Sequence, residues 1–154
     1  MQVSTLLSPQ AVRSVGTMTS KKRLFQELGE LAHTVYGLSA NRTIEALMDR
    51  ETLGPTAVGH GIALPHARLD QAKKVCGLFI RLERGMQFDA VDHKPVDLIF
   101  ALFAPSNAGV EHLKALALVA RTLRNTDLCT KLRANDDPAV LHAMLTETAR
   151  SQAA

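Results

Sequence analysis

Apolar residues recur every three or four positions through the first third of the chain, and this spacing predicts two consecutive helices. Ser20 is a typical N-cap for the first helix, and Gly37 ends its pattern. The second helix opens at Ser39 and closes at Gly54-Pro55. The apolar stripes are Leu24, Leu28, Leu31 and Val35 in the first helix, and Ile44, Leu47 and Met48 in the second.

Two apolar runs in the middle of the chain predict β-strands. Residues 75–82 are rich in apolar and β-branched side chains, and residues 96–104 are almost continuously apolar up to Pro105. A continuous run of this kind is typical of a strand that is buried on both faces. We therefore expect helices to cover the second strand from both sides.

Three further helices are predicted in the last third of the chain. They begin near Gly109, at Thr126 or Asp127, and at Asp137-Pro138, where an N-cap residue precedes a proline suited to the first turn. The expected inward residues are Leu113, Leu116, Ala117, Ala120 and Leu123 in the first, Leu128 and Leu132 in the second, and Leu141, Met144 and Leu145 in the last.

Buried strands between helices predict a single α/β domain, in which a sheet is sandwiched by helices. We expect this domain to span residues 20–150. Residues 1–19 are weakly patterned, and we expect them to form an arm lying on the domain. A chain of 154 residues is long enough to bury a sizeable core without disulfides or metals.

Composition and charge bear on whether the chain binds nucleic acid. The net charge of +3 is mildly basic, but the basic residues are scattered, with a single tight run at residues 21–23. Neither zinc-finger spacing nor interleaved arginine and aromatic residues accompany them, which argues against nucleic-acid binding. We interpret the run as a solvated helix start in preference to a docking patch. Cys76 and Cys129 stand in apolar patterns and are expected to be reduced core residues.

The start of the chain and its longest apolar run bear on the compartment. Residues 1–9 lack the basic start and apolar stretch of a signal peptide, and residues 98–104 are too few to cross a bilayer. We expect a cytoplasmic protein that does not insert into membranes.

The segment richest in candidate catalytic and anion-binding residues runs from residue 50 to residue 69. Pro65 fixes the backbone just before His66, and Arg50, Thr56 and Arg68 stand nearby in the sequence. A neutral imidazole is a competent nucleophile near pH 7, and transfer of a phosphoryl group develops charge that nearby donors must meet. Backbone amides at Ala67 and Arg68, a guanidinium and a second imidazole could supply those donors.

His112 is the candidate for the second imidazole. It stands at the start of a predicted helix, and Leu116, Val119 and Leu123 follow at the same face spacing, so its side chain should point toward the protein. On pattern alone, a structural histidine remains the more common interpretation of both His66 and His112.

Three segments resemble the fructose/mannitol-type enzyme IIA family of the bacterial phosphotransferase system. They are residues 61–66 (GIALPH), residues 88–98 (FDAVDHKPVDL) and residues 112–116 (HLKAL). Residues 20–23, Arg50-Glu51 and residues 123–133 are most similar to the nitrogen-regulatory branch of that family. The resemblance covers about residues 20–147.

The resemblance implies a site and a role. His66 would accept a phosphoryl group on Nε2, as tele-phosphohistidine, with His112 as its active-site partner. Arg50 and Thr56 would bind the phosphoryl group, together with the donors at Ala67 and Arg68 proposed above on chemical grounds, without metal or cofactor. The donor would be an HPr-type phosphocarrier charged by enzyme I, and the targets would be proteins such as potassium transport systems, sensor kinases or metabolic enzymes. The implied fold is a mixed β-sheet flanked by helices on both faces.

The chain departs from the family pattern near the site. The family often has Asn where His60 stands, Gly where Ala67 stands, and Ser-Thr-Gly where residues 55–57 read Pro-Thr-Ala. His60 is thus a third imidazole close to His66 in sequence, which we interpret as a surface replacement for Asn. The remaining histidines, which we expect on the surface or beside helices, are His33, His93 and His142.

Three alternatives remain open. The chain could be a sugar-specific IIA subunit that passes phosphate to a IIB domain. It could be a metalloenzyme that uses His60, His66 and His112, although no carboxylate or cysteine accompanies them at a typical ligand spacing. It could also be a binding module that has lost phosphorylation, against which the intact pair of His66 and His112 argues.

Overall fold

The computed structural model describes the backbone of residues 1–153 and the side chains of residues 1–147. At its centre lies a six-stranded mixed sheet with the strand order β1-β5-β6-β3-β2, and β4 also pairs with β6. The strands are β1 (Leu7–Val15), β2 (Ala57–Gly59), β3 (Ile62–Ala63), β4 (His66–Leu69), β5 (Cys76–Met86) and β6 (Val96–Pro105). The helices are α1 (Val3–Leu6), α2 (Lys21–Tyr36), α3 (Ala40–Thr52), α4 (Val110–Thr122), α5 (Thr126–Arg133) and α6 (Pro138–Ala153).

The helices form two layers around the sheet. Helices α2 and α3 pack on each other and on β1, β4 and β5, whereas α4 and α5 pack with α6 over β1, β5 and β6. Strands β5 and β6 pair antiparallel through the middle of the sheet, and β6 and the first seven residues of β5 are almost entirely buried. Both faces of these strands are therefore covered, which confirms the predicted mixed sheet with helices on both faces.

The predicted helix ends are confirmed where a local hydrogen bond determines them. The hydroxyls of Ser20 and Ser39 accept the amides three residues ahead, and Gly37 ends α2 in the left-handed region with φ of 70°. Asp137 receives the amide of Ala139 at 3.0 Å and so caps α6. Cys76 and Cys129 are buried free thiols, as expected.

The N-terminal residues differ from the predicted arm. Residues 7–15 form an edge strand that pairs parallel with β5, and the side chains of Val3, Leu6 and Leu7 are buried in the core. The Tyr36 hydroxyl fixes this strand, because it accepts the Ser8 amide at 3.1 Å and donates to the Gly77 carbonyl at 2.7 Å. Tertiary contacts thus define β1, and its own sequence pattern is weak.

The predicted inward face of α4 is wrong by one position. The buried residues are His112, Ala115, Leu118, Val119 and Thr122, followed by Leu123 at the C-cap. Leu113 is 66% exposed, and Ala117 is also exposed. Helix α4 carries apolar residues on two faces, so periodicity could not tell which face packs on the sheet. Among the described helices, none is both long and apolar enough to cross a bilayer.

Candidate functional site

His66 is the first residue of β4 and is fixed to the most deeply buried strand. Strands β3 and β4 both pair parallel with β6 in one continuous register, Ala63 with Ile99 and His66 with Leu102. Between them, the Pro65 carbonyl accepts the Leu102 amide at 2.9 Å. Proline lacks an N–H, so the Leu64-Pro65 step ends β3 without breaking the alignment on β6.

The His66 ring is held in one tautomer. Its Nδ1 lies 2.9 Å from the Leu64 carbonyl oxygen. A carbonyl oxygen only accepts hydrogen bonds, so Nδ1 carries the proton and donates it. Nε2 then holds the free lone pair, which makes it the nucleophilic atom of the neutral ring.

His112 lies beside His66. The two ring centroids are 5.6 Å apart and the rings are nearly perpendicular, at 76°. His112 is 6% exposed, which confirms that it points inward, and its Nε2 has no hydrogen-bond partner among the described residues. Burial lowers the pKa of His112, and the neighbouring His66 and Arg68 lower it further. Because His112 belongs to the first turn of α4, the positive end of that helix also faces this corner.

Two guanidinium groups share a depression with the histidines. It has a volume of about 560 Å³ and is lined by Arg50, Arg68, His66, His112 and Leu113 among others. Arg50 donates from Nη1 to the Gly54 carbonyl at 3.0 Å, and Arg68 donates from Nη1 to the Ala108 carbonyl. One nitrogen of each guanidinium thus fixes the side chain. The remaining N–H groups of each guanidinium can bind an anion through two hydrogen bonds.

Ala67 and Thr56 lie next to the site, and backbone or side-chain partners occupy their polar groups. The parallel register directs the Ala67 amide toward Leu102 on β6. Thr56 is 5% exposed, and its hydroxyl donates to Glu51 Oε1 at 2.7 Å. Thr56 also borders a second depression that His66 and Arg50 line, of about 380 Å³.

The surface around His66 carries exposed apolar side chains. Leu53 is 84% exposed and lines the same depression as His66, together with Leu113 and Leu116. Val58 and Ala117 line the adjoining one. The sequence pattern predicts Leu113 and Leu116 for the core, so it does not indicate this role of α4. An exposed apolar ring around a polar centre is typical of a protein-binding surface.

Comparison with known proteins identifies the family of this chain. Residues 5–148 match the profile described as "Phosphoenolpyruvate-dependent sugar phosphotransferase system, EIIA 2". The chain belongs to this family. The resemblance found in the sequence is therefore confirmed.

Relatives of the EIIA 2 chain include proteins named for nitrogen regulation. The "Nitrogen regulatory protein" of Bradyrhizobium diazoefficiens is 43% identical over 145 residues, which cover 94% of this chain and 95% of the relative. The crystal structure of nitrogen regulatory protein IIA-Ntr from Neisseria meningitidis has a TM-score of 0.84 at 37% identity, covering 92% of this chain and 97% of the other. IIA mannitol from Escherichia coli has a TM-score of 0.76 at 20% identity, covering 90% and 97%, and shares the fold.

His60 lies apart from the other two histidines in this EIIA 2 domain. It occupies the turn of the β2–β3 hairpin, where His60 and Gly61 have φ of 58° and 79°. Such a turn favours Asn-Gly, so histidine here replaces asparagine as a turn residue. Its amide donates to Asp92 at 2.9 Å, its carbonyl accepts Arg133 at 2.7 Å, and it lines a different cavity from His66.

The remaining histidines also lie away from the site. Nitrogens of His33 and His142 lie within hydrogen-bond distance of the Leu38 and Leu7 carbonyls, and His93 stands on an exposed loop. Within residues 1–147, no group of three or more His, Cys, Asp or Glu side chains is placed to hold a metal ion. The set of His60, His66 and His112 considered for a metal is not brought together.

Proposed function

We propose that the chain is a phosphohistidine carrier of the nitrogen branch of the phosphotransferase system. In this proposal His66 accepts a phosphoryl group from an HPr-type protein in the cytoplasm and regulates partner proteins by its phosphorylation state. The observation that carries the proposal is the hydrogen bond from His66 Nδ1 to the Leu64 carbonyl, beside His112. It leaves Nε2 as a nucleophile on an open surface.

The transfer step uses the lone pair on Nε2. Nε2 attacks the phosphorus of the donor's phosphohistidine, a new N–P bond forms, and the donor's N–P bond breaks with its electrons returning to the donor ring. The Nδ1 proton stays on His66 and continues to bind Leu64, so the phosphorylated ring is an imidazolium. The donor ring, which carries a proton on its other nitrogen, leaves as a neutral imidazole. The donor phosphoryl group is already activated, so the step requires neither metal nor cofactor.

Charge on the transferring oxygens is met by groups around the depression. Arg50 and Arg68 supply guanidinium N–H groups, and His112 supplies a second imidazole. Thr56 acts by holding the loop, since its hydroxyl proton is committed to Glu51. Ala67 provides the backbone pairing that fixes His66 on β6.

Two features support a regulatory role. The relatives described above are named nitrogen regulatory proteins and align over nearly the whole chain. The apolar surface around His66 suits partners that dock face-on, and potassium transport systems, sensor kinases and metabolic enzymes are the expected classes. A sugar-specific IIA subunit would instead pass its phosphoryl group to a IIB domain.

Mass spectrometry after incubation with phosphoenolpyruvate, enzyme I and an HPr-type carrier tests the proposal. We expect one phosphoryl group on the wild-type protein and on His93→Ala, a control on an exposed loop. His66→Ala should take none while unfolding at the same temperature as wild type, because His66 stands at the surface end of β4. A fully phosphorylated His66→Ala variant contradicts the assignment, and rapid onward transfer to a sugar-specific IIB domain would favour the sugar alternative.

A further inference from the structure

Glu51, in the last turn of α3, is a buried carboxylate with a full set of donors. Its side chain is 6% exposed. It accepts Lys21 Nζ at 2.9 Å, the Thr56 amide at 3.1 Å and the Thr56 hydroxyl at 2.7 Å. Burying a carboxylate is costly unless it is paired and hydrogen-bonded, and these three donors fix the position of Glu51.

Lys21 is placed to complete this cluster. It stands in the first turn of α2, where the helix dipole disfavours a cation. Its Nζ lies 3.4 Å from Asp89 Oδ2 and 4.8 Å from the centre of the Phe88 ring, in addition to its contact with Glu51. These contacts offset the unfavourable helix position. The neighbouring Lys22 and Arg23 are exposed, so Lys21 differs from the solvated run expected from the sequence.

A continuous path of hydrogen bonds leads from this cluster to the His66 ring. The Thr56 carbonyl accepts the Leu64 amide at 3.0 Å, and the Leu64 carbonyl accepts His66 Nδ1 at 2.9 Å. Thr56 therefore connects Glu51 to the residue that determines the tautomer of His66. Every residue along this path between Glu51 and the imidazole is buried.

We propose that Glu51 is a positioning residue for His66, with Lys21 as its counter-ion. Glu51 holds Thr56, Thr56 holds Leu64, and the Leu64 carbonyl keeps the proton on Nδ1 so that Nε2 stays nucleophilic. This role rests on the proposed function insofar as it concerns phosphoryl transfer. Its effect on the tautomer of His66 is a property of the unphosphorylated protein and can be measured separately.

Glu51→Gln is the direct test, with Glu27→Gln as the matched control. Both variants remove one carboxylate from an ion pair, but Glu27 pairs with Arg13 on α2 and β1, away from the site. Nitrogen-15 spectra of the unphosphorylated protein report the His66 tautomer, and single-turnover transfer from a phosphorylated HPr-type carrier reports the rate. We expect Glu51→Gln to show a mixture of tautomers and transfer slowed about 10-fold or more, and Glu27→Gln to match wild type.

Substitutions at Thr56 test whether the hydrogen bonds between Glu51 and His66, and not packing alone, determine the tautomer of His66. Thr56→Ser keeps the hydroxyl donor and should restore wild-type tautomer and rate, whereas Thr56→Val keeps the shape and should behave like Glu51→Gln. If Glu51→Gln does not fold, Lys21→Met carries the test, because it leaves the carboxylate without its cation. The same mixture of tautomers is then expected.

Wild-type tautomer and rate in folded Glu51→Gln, or in Lys21→Met where that variant carries the test, would overturn the positioning role. The phosphocarrier proposal would survive that result, provided that the wild-type protein is phosphorylated. A wild-type protein that takes no phosphoryl group would refute the phosphocarrier proposal instead, and the tautomer comparison would still decide the role of Glu51.

Discussion

Phosphorylation of His66 should change the protonation of His112. In the unphosphorylated protein, burial lowers the pKa of His112, with further contributions from His66 and Arg68. His112 is therefore neutral at pH 7. A phosphoryl group on His66 brings close to two negative charges, and the ring that keeps its Nδ1 proton carries one positive charge, which leaves a net charge of about −1. An adjacent anion favours the protonated imidazole of His112.

The separation of the two rings sets the size of the effect. At 5.6 Å, taken as the distance between charges, one negative and one positive charge interact by about 3 kcal/mol at an effective dielectric constant of ~20. That energy corresponds to a rise of about 2 in the pKa of His112 for each negative charge. We therefore expect the pKa of His112 to rise once His66 is phosphorylated, and the protonated ring to donate a charged hydrogen bond to the phosphoryl group.

Histidine-selective nitrogen-15 NMR measures this directly. The His112 resonances are titrated before and after phosphorylation, and again in His66→Glu, a stable variant that adds a single negative charge. His93, on an exposed loop, serves as the internal reference. A pKa of His112 that stays the same or falls in both charged forms would refute the reasoning, and His112 would then act on His66 through packing alone.

Four further outcomes are expected. Arg50→Ala should slow phosphoryl transfer more than Arg50→Lys in single-turnover assays, because the planar guanidinium binds phosphate through two N–H groups. His66→Glu should bind a regulatory partner more weakly than His66→Ala in calorimetric titrations, since desolvating the charge is costly. Tyr36→Phe should lower the free energy of unfolding by about 1–3 kcal/mol in urea, because the Ser8 amide loses its acceptor. The depressed pKa of His112 means that stability falls as pH drops below about 6.5, and His112→Gln should lessen that fall.

Short-range hydrogen bonds account for most of what the sequence predicted correctly about the fold. Ser20, Ser39 and Asp137 cap helices through contacts within three residues, so the local sequence determines them. Strand β6 was predictable because burial on both faces leaves a nearly continuous apolar run. The inward position of His112 followed from the spacing of its neighbours in the sequence, whereas the motif at residues 61–66 was identified by its resemblance to a known family.

Features that depend on distant residues could not be predicted. Strand β1 needs β5 and the Tyr36 hydroxyl, 28 residues from Ser8, and its own pattern is irregular. The inward face of α4 could not be chosen because two of its faces are apolar. The cluster joins Lys21 of α2, Glu51 of α3 and Thr56 of the loop before β2. In the sequence alone, a cation in the first turn of a helix cannot be told from a solvated charge.

The position of His66 on β4 bears on how partner proteins would detect its phosphorylation. Phosphorylation of a histidine on a mobile loop could move that loop and so change surfaces far from the histidine. The backbone of β4 pairs with β6 along its whole length. Under the proposed function, we therefore expect phosphorylation of His66 to change the local charge and to leave the backbone in place. A partner would then detect phosphorylation only by direct contact with the surface around His66. Under the proposed function, a regulatory partner would cover the surface that the phosphoryl donor also needs, so we expect phosphorylation of His66 and partner binding to be mutually exclusive.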